Sequence, residues 1–439
     1  MGALSNFPPP KECNNFMRHQ ELYLHATEYF KQNDVFRHVH YNTEVISVKK
    51  SSDYDETGRW VVRVKDRITN EFTTDVYDGV LVCTGHMNRP KMPTYPGQEQ
   101  FKGRILHSHS LKGVSPYQRK NVVVVGMGCS GLDAAVETSN VAKQVYLSTR
   151  TGAHIINRLG DRGLPYDHLL LRRYLCLFID ILPINVASWI LETCYLDLLF
   201  DQKLYAVKPK HGILSQDPSL NDHIGSKLMS GHVIMKPNIK CFTEDGVIFE
   251  GDSEVTEVDS VIMATGYTWQ FPFLEEGIVE QENGRINLYK CIYPSELQHG
   301  TLGIIGFILP LGPGFPTGEI QCRWAVQVLA GKCKLPSKAK MYADIKKRYE
   351  TNIKRYKPNN KMSIRVDYVQ SYEKPIWSKA KSLKPLLNLL FPKNFFGPVY
   401  RIRYLRAPAW GGGKLMTSEG RSCGPFPKGK TDKKEGVIY

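Results

Sequence analysis

A chain of 439 residues with 42% hydrophobic and 23% charged residues has room for two or three cored domains, which excludes wholesale disorder. Its ten cysteines stand singly, with no C-x-x-C pair; this excludes a disulfide-stapled secreted fold, a zinc ribbon and a dithiol redox centre, and no metal site is expected. The formal charge of +15 favours an anionic partner, yet no clustered bases interleaved with aromatics point to nucleic acid.

In chain order, the start "MGALSNFPPPKE" is polar and proline-rich, unlike a secretory signal. Residues 18–36 are expected to form an amphipathic helix. "YNTEVISVKK" (41–50) and "RWVVRVKD" (59–66) alternate apolar and polar residues at period two, which predicts strands, with "SSDYDETG" as the turn between them. "YDGVLVCTG" (77–85) reads as a third strand, ending in Thr84 and Gly85 and followed by the loop "NRPKMPTYPG". "NVVVVGMGCSG" (121–131) then gives an apolar strand, a glycine turn and a helix, leading to a further strand, "QVYLSTR". "EVDSVIMATGYTWQFPF" (257–273) is another strand, closing on Thr265 and Gly266. A later apolar strand, a Pro/Gly loop and a helix lie in "GTLGIIGFILPLGPGFPTGEIQCRWAVQVLAG". The stretch 407–439, rich in glycine, lysine and proline, is expected to be a mobile basic tail.

The glycines of the turn, Gly126, Gly128 and Gly131, have G-x-G-x-x-G spacing, and strand, helix and second strand surround them in the required order. Gly126 permits the tight turn, Gly128 lets a pyrophosphate approach the backbone, and Gly131 lets helix and strand pack closely. The helix amides and dipole then face the phosphates, and Ser130 is placed to add a hydroxyl. An NAD site carries Asp or Glu at the end of the second strand. Here "YLSTRTG" has Ser148, Thr149 and Arg150 instead, so Arg150 is assigned to a 2′-phosphate and NADP is the expected nucleotide.

"FKGRILHSHSLKG" carries F-x-G-x-x-x-H in Phe101, Gly103 and His107, about twenty residues before the glycine turn. Together with "VVVVGMGCSG", "VIMATGY" and "PTGEIQCRWAVQVL", this resembles the animal flavin-containing monooxygenases (dimethylaniline monooxygenase, N-oxide-forming) over most of the chain. The resemblance implies an α/β fold with two doubly wound dinucleotide-binding domains, one for FAD and one for NADPH. It implies a reaction in which NADPH reduces the flavin, O2 adds to it, and the hydroperoxide oxygenates a soft nitrogen or sulfur nucleophile, an amine or thioether. His107 would help link the domains. Leu111 stands where the family motif ends in an aromatic residue, and so favours neither this branch nor the Baeyer–Villiger enzymes.

The resemblance also implies a first glycine turn for FAD and a family asparagine near the flavin ring. Neither is found upstream of residue 121, so the chain reads as an N-terminally truncated form whose FAD domain lacks its first βαβ unit. Catalytic side chains are therefore not assigned. The remaining FAD or domain-crossing contacts implied are Val45, Thr84, Gly85, Thr265, Gly266, Thr317 and Gln321. The expected organisation is a partial FAD domain at 1–111 and an NADP domain at 112–270, with a membrane or substrate insertion at 151–230. A return to the FAD domain with C-terminal helices follows at 271–406.

No run of 18 uncharged apolar residues occurs, so no spanning helix is expected. Residues 172–200 and 383–406 are apolar with interrupting polar groups and are read as candidates for peripheral membrane contact, the alternative being a tunnel wall or core. The resemblance implies the cytoplasmic face of the endoplasmic reticulum membrane. The polar tail leaves a cytoplasmic or peripheral protein open. Two function classes follow from the sequence: an FAD- and NADPH-dependent monooxygenase, or a catalytically inactive NADP-binding remnant.

Overall fold

The computed structural model describes residues 4–170, 181–279, 281–282, 285–310, 314–356 and 360–366. The chain divides into two units, Met1–Leu386 and Leu387–Tyr439, and the second lies outside the described residues, as does the segment 383–406.

Four consecutive valines set the centre of the larger sheet. Strand Asn121–Val125 points Val122 and Val124 into one apolar core and Val123 and Val125 into another, and all four are buried. A strand covered on both faces needs no polar alternation, which is why this one reads as a continuous apolar run. Five parallel strands lie in the spatial order Val233–Lys236, Gln144–Ser148, Asn121–Val125, Ser260–Met263 and Arg104–His107. Helices Cys129–Ser139 and Ile224–Met229 pack on the first core through Leu132, Ala135 and Ile224. The opposite face is covered by an antiparallel sheet of Ile239–Phe242, Gly246–Phe249 and Thr256–Glu257, through Phe242, Val247 and Phe249.

The edge strand Arg104–His107 corrects the expected boundary at residue 111. It pairs with Ser260–Met263 and so belongs to the five-stranded sheet, because its apolar residues Ile105 and Leu106 serve the same two cores.

A third core gathers Val48, Tyr54, Trp60, Val82, Trp269, Leu302, Ile304 and Phe307. It joins the antiparallel meander Thr43–Lys50, Trp60–Asp66 and Phe72–Tyr77 to a parallel pair, Val80–Val82 with Leu302–Ile304. The single strand expected at 77–85 is thus two, separated by Asp78 and Gly79. Phe72–Tyr77 hydrogen-bonds to the meander, whereas Val80–Val82 turns away to pair with a strand over 200 residues later. The interval 51–58 holds one helical turn, Tyr54–Thr57, closed by Gly58 at φ +74°. The helix expected over 18–36 runs from His19 to Gln32 and ends at Asn33 and Asp34, the latter at positive φ. Helices Gly314–Leu329 and Lys338–Arg355 follow, and strand Arg365–Val366, paired with Leu309–Pro310, ends the described residues.

Candidate functional site

The glycine turn is wedged between two strand ends. Gly126 donates its N–H to the Ser148 carbonyl (2.9 Å), and Ala264 donates to the Val125 carbonyl (2.8 Å). These bonds put the turn at the carboxyl edge of the sheet, where the strand order reverses and where such folds open a crevice.

The three glycines serve different ends. Gly126 has φ +110°, and a Cβ there would collide with the Ala264 carbonyl; a Cβ on Gly131 would strike the Gly126 carbonyl. Both are required by the protein's own packing. A Cβ on Gly128 would meet no atom within 4 Å. Its smallness serves nothing in the described chain, which is what an approaching ligand requires. Gly128 is also the N-cap of helix Cys129–Ser139 and supplies no side-chain cap, so the first-turn amides at exposed Cys129 and Ser130 stay open.

At the end of the adjacent strand, Ser148 is fully buried and donates its hydroxyl to the Pro237 carbonyl (2.8 Å), while Thr149 Oγ1 accepts from the Gly152 N–H (3.1 Å). Both side chains are committed to the fold. Arg150 is exposed and makes no ion pair among the described residues.

Two residues that the sequence did not single out hold the turn. Ser219 Oγ donates to the Met127 carbonyl (2.7 Å). Asn221 Nδ2 donates to Asp133 (2.9 Å), while its Oδ1 accepts from the His223 and Ile224 amides. Desolvation pushes the Asp133 carboxyl above its ordinary range, although part of the residue reaches solvent; the Asn221 bond opposes the shift. The signal for Asn221 was the Asn-x-x sequence opening a helix. For Ser219 there was none, since its partner lies 92 residues away.

The F-x-G-x-x-x-H residues form one packing device. Phe101 packs edge-on against Phe242 (5.3 Å between ring centres), and a Cβ on Gly103 would collide with the Phe101 ring. His107 is 5% exposed; its Nε2 lies 2.9 Å from the Gly266 carbonyl, and its Nδ1 accepts from the His109 N–H (3.1 Å). This pattern assigns the proton to Nε2 in a neutral ring. Desolvation lowers the His107 pKa, partly offset by the Gly266 bond. Leu111 is half-buried against the first core.

The later strand-to-Thr-Gly ending packs on the chain that follows the earlier one. Lys91 donates its N–H to Gly266 (2.9 Å), Thr265 Oγ1 donates to the Lys91 carbonyl (2.5 Å), and Tyr267–Thr268 pairs with Arg89–Pro90. Thr84 is exposed just past the strand Val80–Val82. Gly85 (φ +68°) and Gly306 (φ +73°) follow the two strands of the parallel pair, and a Cβ on either would meet no atom within 4 Å; the same holds for Gly314 and Gly318 on the nearby helix. Gly85 and Gly306 thus stand at the carboxyl ends of the two parallel strands, the edge at which such folds take a dinucleotide.

Gln321 is already committed to the fold. Its Oε1 accepts from the Gly306 N–H (2.9 Å) and its Nε2 donates to the Cys291 carbonyl (3.4 Å). Thr317, one turn earlier, is buried. Val45 is 43% exposed, beside a bulge in the meander. Among the described residues no cluster of His, Cys, Asp and Glu could hold a metal, and no helix is long and apolar enough to cross a membrane.

A family model described as "FMO-like: Flavin-binding monooxygenase-like" matches residues 1–435. Flavin-containing monooxygenase 5 of Cavia porcellus is 38% identical over 451 residues, spanning 100% of this chain and 84% of that protein. Among solved structures, S-allyl-L-cysteine S-oxygenase from Allium sativum superposes with a TM-score of 0.58 at 22% identity, covering 84% of this chain and 69% of that one. OTEMO in complex with FAD and NADP gives 0.55 at 15%, covering 78% and 77%. At these identities the two structures speak to the fold alone. Both match an α/β architecture with two dinucleotide-binding domains.

Proposed function

The chain belongs to the flavin-binding monooxygenase-like family, and from that premise we propose that NADPH binds at residues 126–131 and FAD at the open glycines of the parallel pair. It is a flavin-dependent monooxygenase by family. The reading of an inactive remnant gains no support from these relatives. The balanced reaction takes NADPH, O2, a proton and a soft nitrogen or sulfur nucleophile to NADP+, water and the oxygenated product. When bound, the two cofactors supply the hydride and the oxygen activation.

What this chain supplies is position and charge. The amides of the uncapped helix and the space beside Gly128 receive the pyrophosphate, with Ser130 at its edge. Arg150 pairs with the 2′-phosphate. Val45, Thr84, Gly85, Thr317 and Gln321 border the flavin side. Gln321 acts there by fixing the Gly306 loop, since its amide is spent on backbone. Thr265, Gly266 and His107 join the two sides, and the motif of Phe101, Gly103 and His107 braces that join. The observation that carries the reading is the conjunction of an open Gly128 with an ion-free Arg150 on neighbouring strand ends.

Nucleotide titration tests it. Wild-type protein should bind NADP+ in preference to NAD+. Arg150→Ala should lose about tenfold to a hundredfold in NADP+ affinity, the loss of one charge-assisted contact, with NAD+ unaffected. Equal loss for both nucleotides would remove Arg150 from the site.

The reading extends to location. Ile181, Trp189, Leu198, Leu199 and Leu204, on or near helix Ile184–Leu191, are exposed at 81, 63, 78, 52 and 73%. Such side chains suit the interface of a membrane, with the endoplasmic reticulum as the compartment implied by the family.

A further inference from the structure

Residues 217–222, "DPSLND", are tied to three parts of the molecule. On the nucleotide side, Ser219 holds the Met127 carbonyl within the glycine turn, the Leu220 N–H reaches Cys129 Sγ (3.4 Å), and Asn221 bonds Asp133 on the turn's helix. Along the insertion, Ser219–Leu220 pairs in parallel with Ile155–Ile156, and Asp222 receives both the backbone N–H and the guanidinium of Arg158. At the leading end Asp217 forms an ion pair with Arg365.

Arg365 belongs to the other side of the protein. Strand Arg365–Val366 pairs with Leu309–Pro310, just past the parallel pair. The Arg365 guanidinium lies over the Tyr356 ring at 4.1 Å, and its carbonyl accepts from Asn352 Nδ2 (3.0 Å). Its side chain is 3% exposed against 39% for Asp217, and its Nε has no partner among the described residues. A guanidinium buried this deeply needs its counter-ion, and an apolar residue of like size would serve stability as well or better. A charge kept there serves registry or switching. Asp217 stands two residues from Ser219, a span of about 7 Å even when extended. Pro218 between them removes a freely rotating φ.

We propose that the Asp217–Arg365 pair is a latch that transmits occupancy of the glycine turn to the half of the molecule carrying Arg365. Asp217 and Arg365 are then positioning residues for hydride transfer between the two bound cofactors. The latch rests on the NADPH reading above. Its logic is that the two cofactors must be held in near contact across two separately cored regions, where a misplacement of about 1 Å costs about a hundredfold in rate. A strap gripping the turn at one end and a buried cation of the opposite half at the other fixes that distance.

The test uses the full chain with NADP+ as the probe and hydrogen exchange as the readout. In wild-type protein, NADP+ should slow amide exchange within residues 360–366 by at least about fivefold, although those residues do not touch the glycine turn. Asp217→Asn should bind NADP+ within about threefold of wild type by calorimetry yet lose that remote protection, and its flavin reduction by NADPH should slow by about tenfold or more. Asp217→Glu, which keeps the charge, should restore the response. Arg365→Met removes the buried cation and leaves only half-exposed Asp217; it should fold even if Asp217→Asn does not, and should show the same lost response. Persistence of the protection in Asp217→Asn or Arg365→Met, or its absence from wild-type protein that binds NADP+, overturns the latch. Wild-type protein that binds no NADP+ overturns the nucleotide reading itself, and the latch with it.

Discussion

Gly128 and its neighbours show how one residue type answers to different physics within six positions. Gly126 and Gly131 are glycines because backbone carbonyls occupy the space of a side chain, whereas Gly128 faces nothing in the described chain. Gly128→Asp should therefore fold normally while placing a carboxylate against the phosphates, with a loss of at least about a hundredfold in NADP+ affinity. Thermal melting and calorimetry on the same sample separate the two; an unchanged affinity would place the nucleotide elsewhere. His107 makes a pH statement. Its folded pKa lies below the ordinary value of 6.5, so the folded state favours the neutral ring. Its contribution to stability is full above pH 6.5 and is lost as pH falls from there towards the lowered folded pKa, because the unfolded chain takes up the proton first. Melting wild type and His107→Gln between pH 5 and 8 checks this. The amide of Gln can reproduce both bonds without titrating, so the variant should have the flatter profile; parallel profiles would contradict the assignment. At this scale the sequence was informative where chemistry is local. The glycine turn was legible from its spacing, and so was the strand end before Arg150. That Ser148 and Gln321 spend their polar groups on distant backbone was not, since Pro237 and Cys291 approach them only in the fold.

At the scale of elements, long apolar runs were legible and short exposed ones were not. Strand Asn121–Val125, its helix and Gln144–Ser148 follow from the apolar run and the glycine motif, and each sends apolar side chains into the core. Strand Phe72–Tyr77 is exposed throughout, with Phe72 and Val76 the apolar residues of one short face, too few to mark its separation from Val80–Val82. The sheet from Ile239 to Glu257 did carry a signal, the Asp245-Gly246 step beside apolar residues, where Thr243 N–H bonds the Gly246 carbonyl (3.0 Å). Its strands of two to four residues are too short for periodicity to register. Helix Ile184–Leu191 bears the membrane reading. Flotation with anionic liposomes at low salt should carry wild-type protein upward, and Trp189→Glu should reduce the floated fraction. Wild-type protein remaining at the bottom would refute membrane contact through this face.

Across the described residues, separate apolar cores underlie two strand edges with open glycines, one at Gly128 and one at Gly85 and Gly306. The order of motifs named the family, and the open glycines carry the proposed placement of each nucleotide. What the sequence could not show was the long-range pairing: Asp217 with Arg365 and His107 with Gly266 are contacts spanning 148 and 159 residues, and Gln321 spends its amide on Gly306 within the later strand edge. Such pairings depend on the packed arrangement of the strands and leave no local pattern. On the proposed reading, the Asp217–Arg365 and His107–Gly266 contacts hold the two nucleotide sites in one frame, as a reaction between two bound cofactors requires. The most direct measurement of the central claim follows the visible spectrum of the purified chain with FAD while NADPH and a thioether are added in air. The expected result is a yellow protein that bleaches on NADPH addition, recovers its colour as O2 is consumed, and forms about one sulfoxide per NADPH oxidised, the stoichiometry of a coupled monooxygenase. A protein that stays colourless after FAD has been supplied and leaves both NADPH and thioether untouched would contradict it.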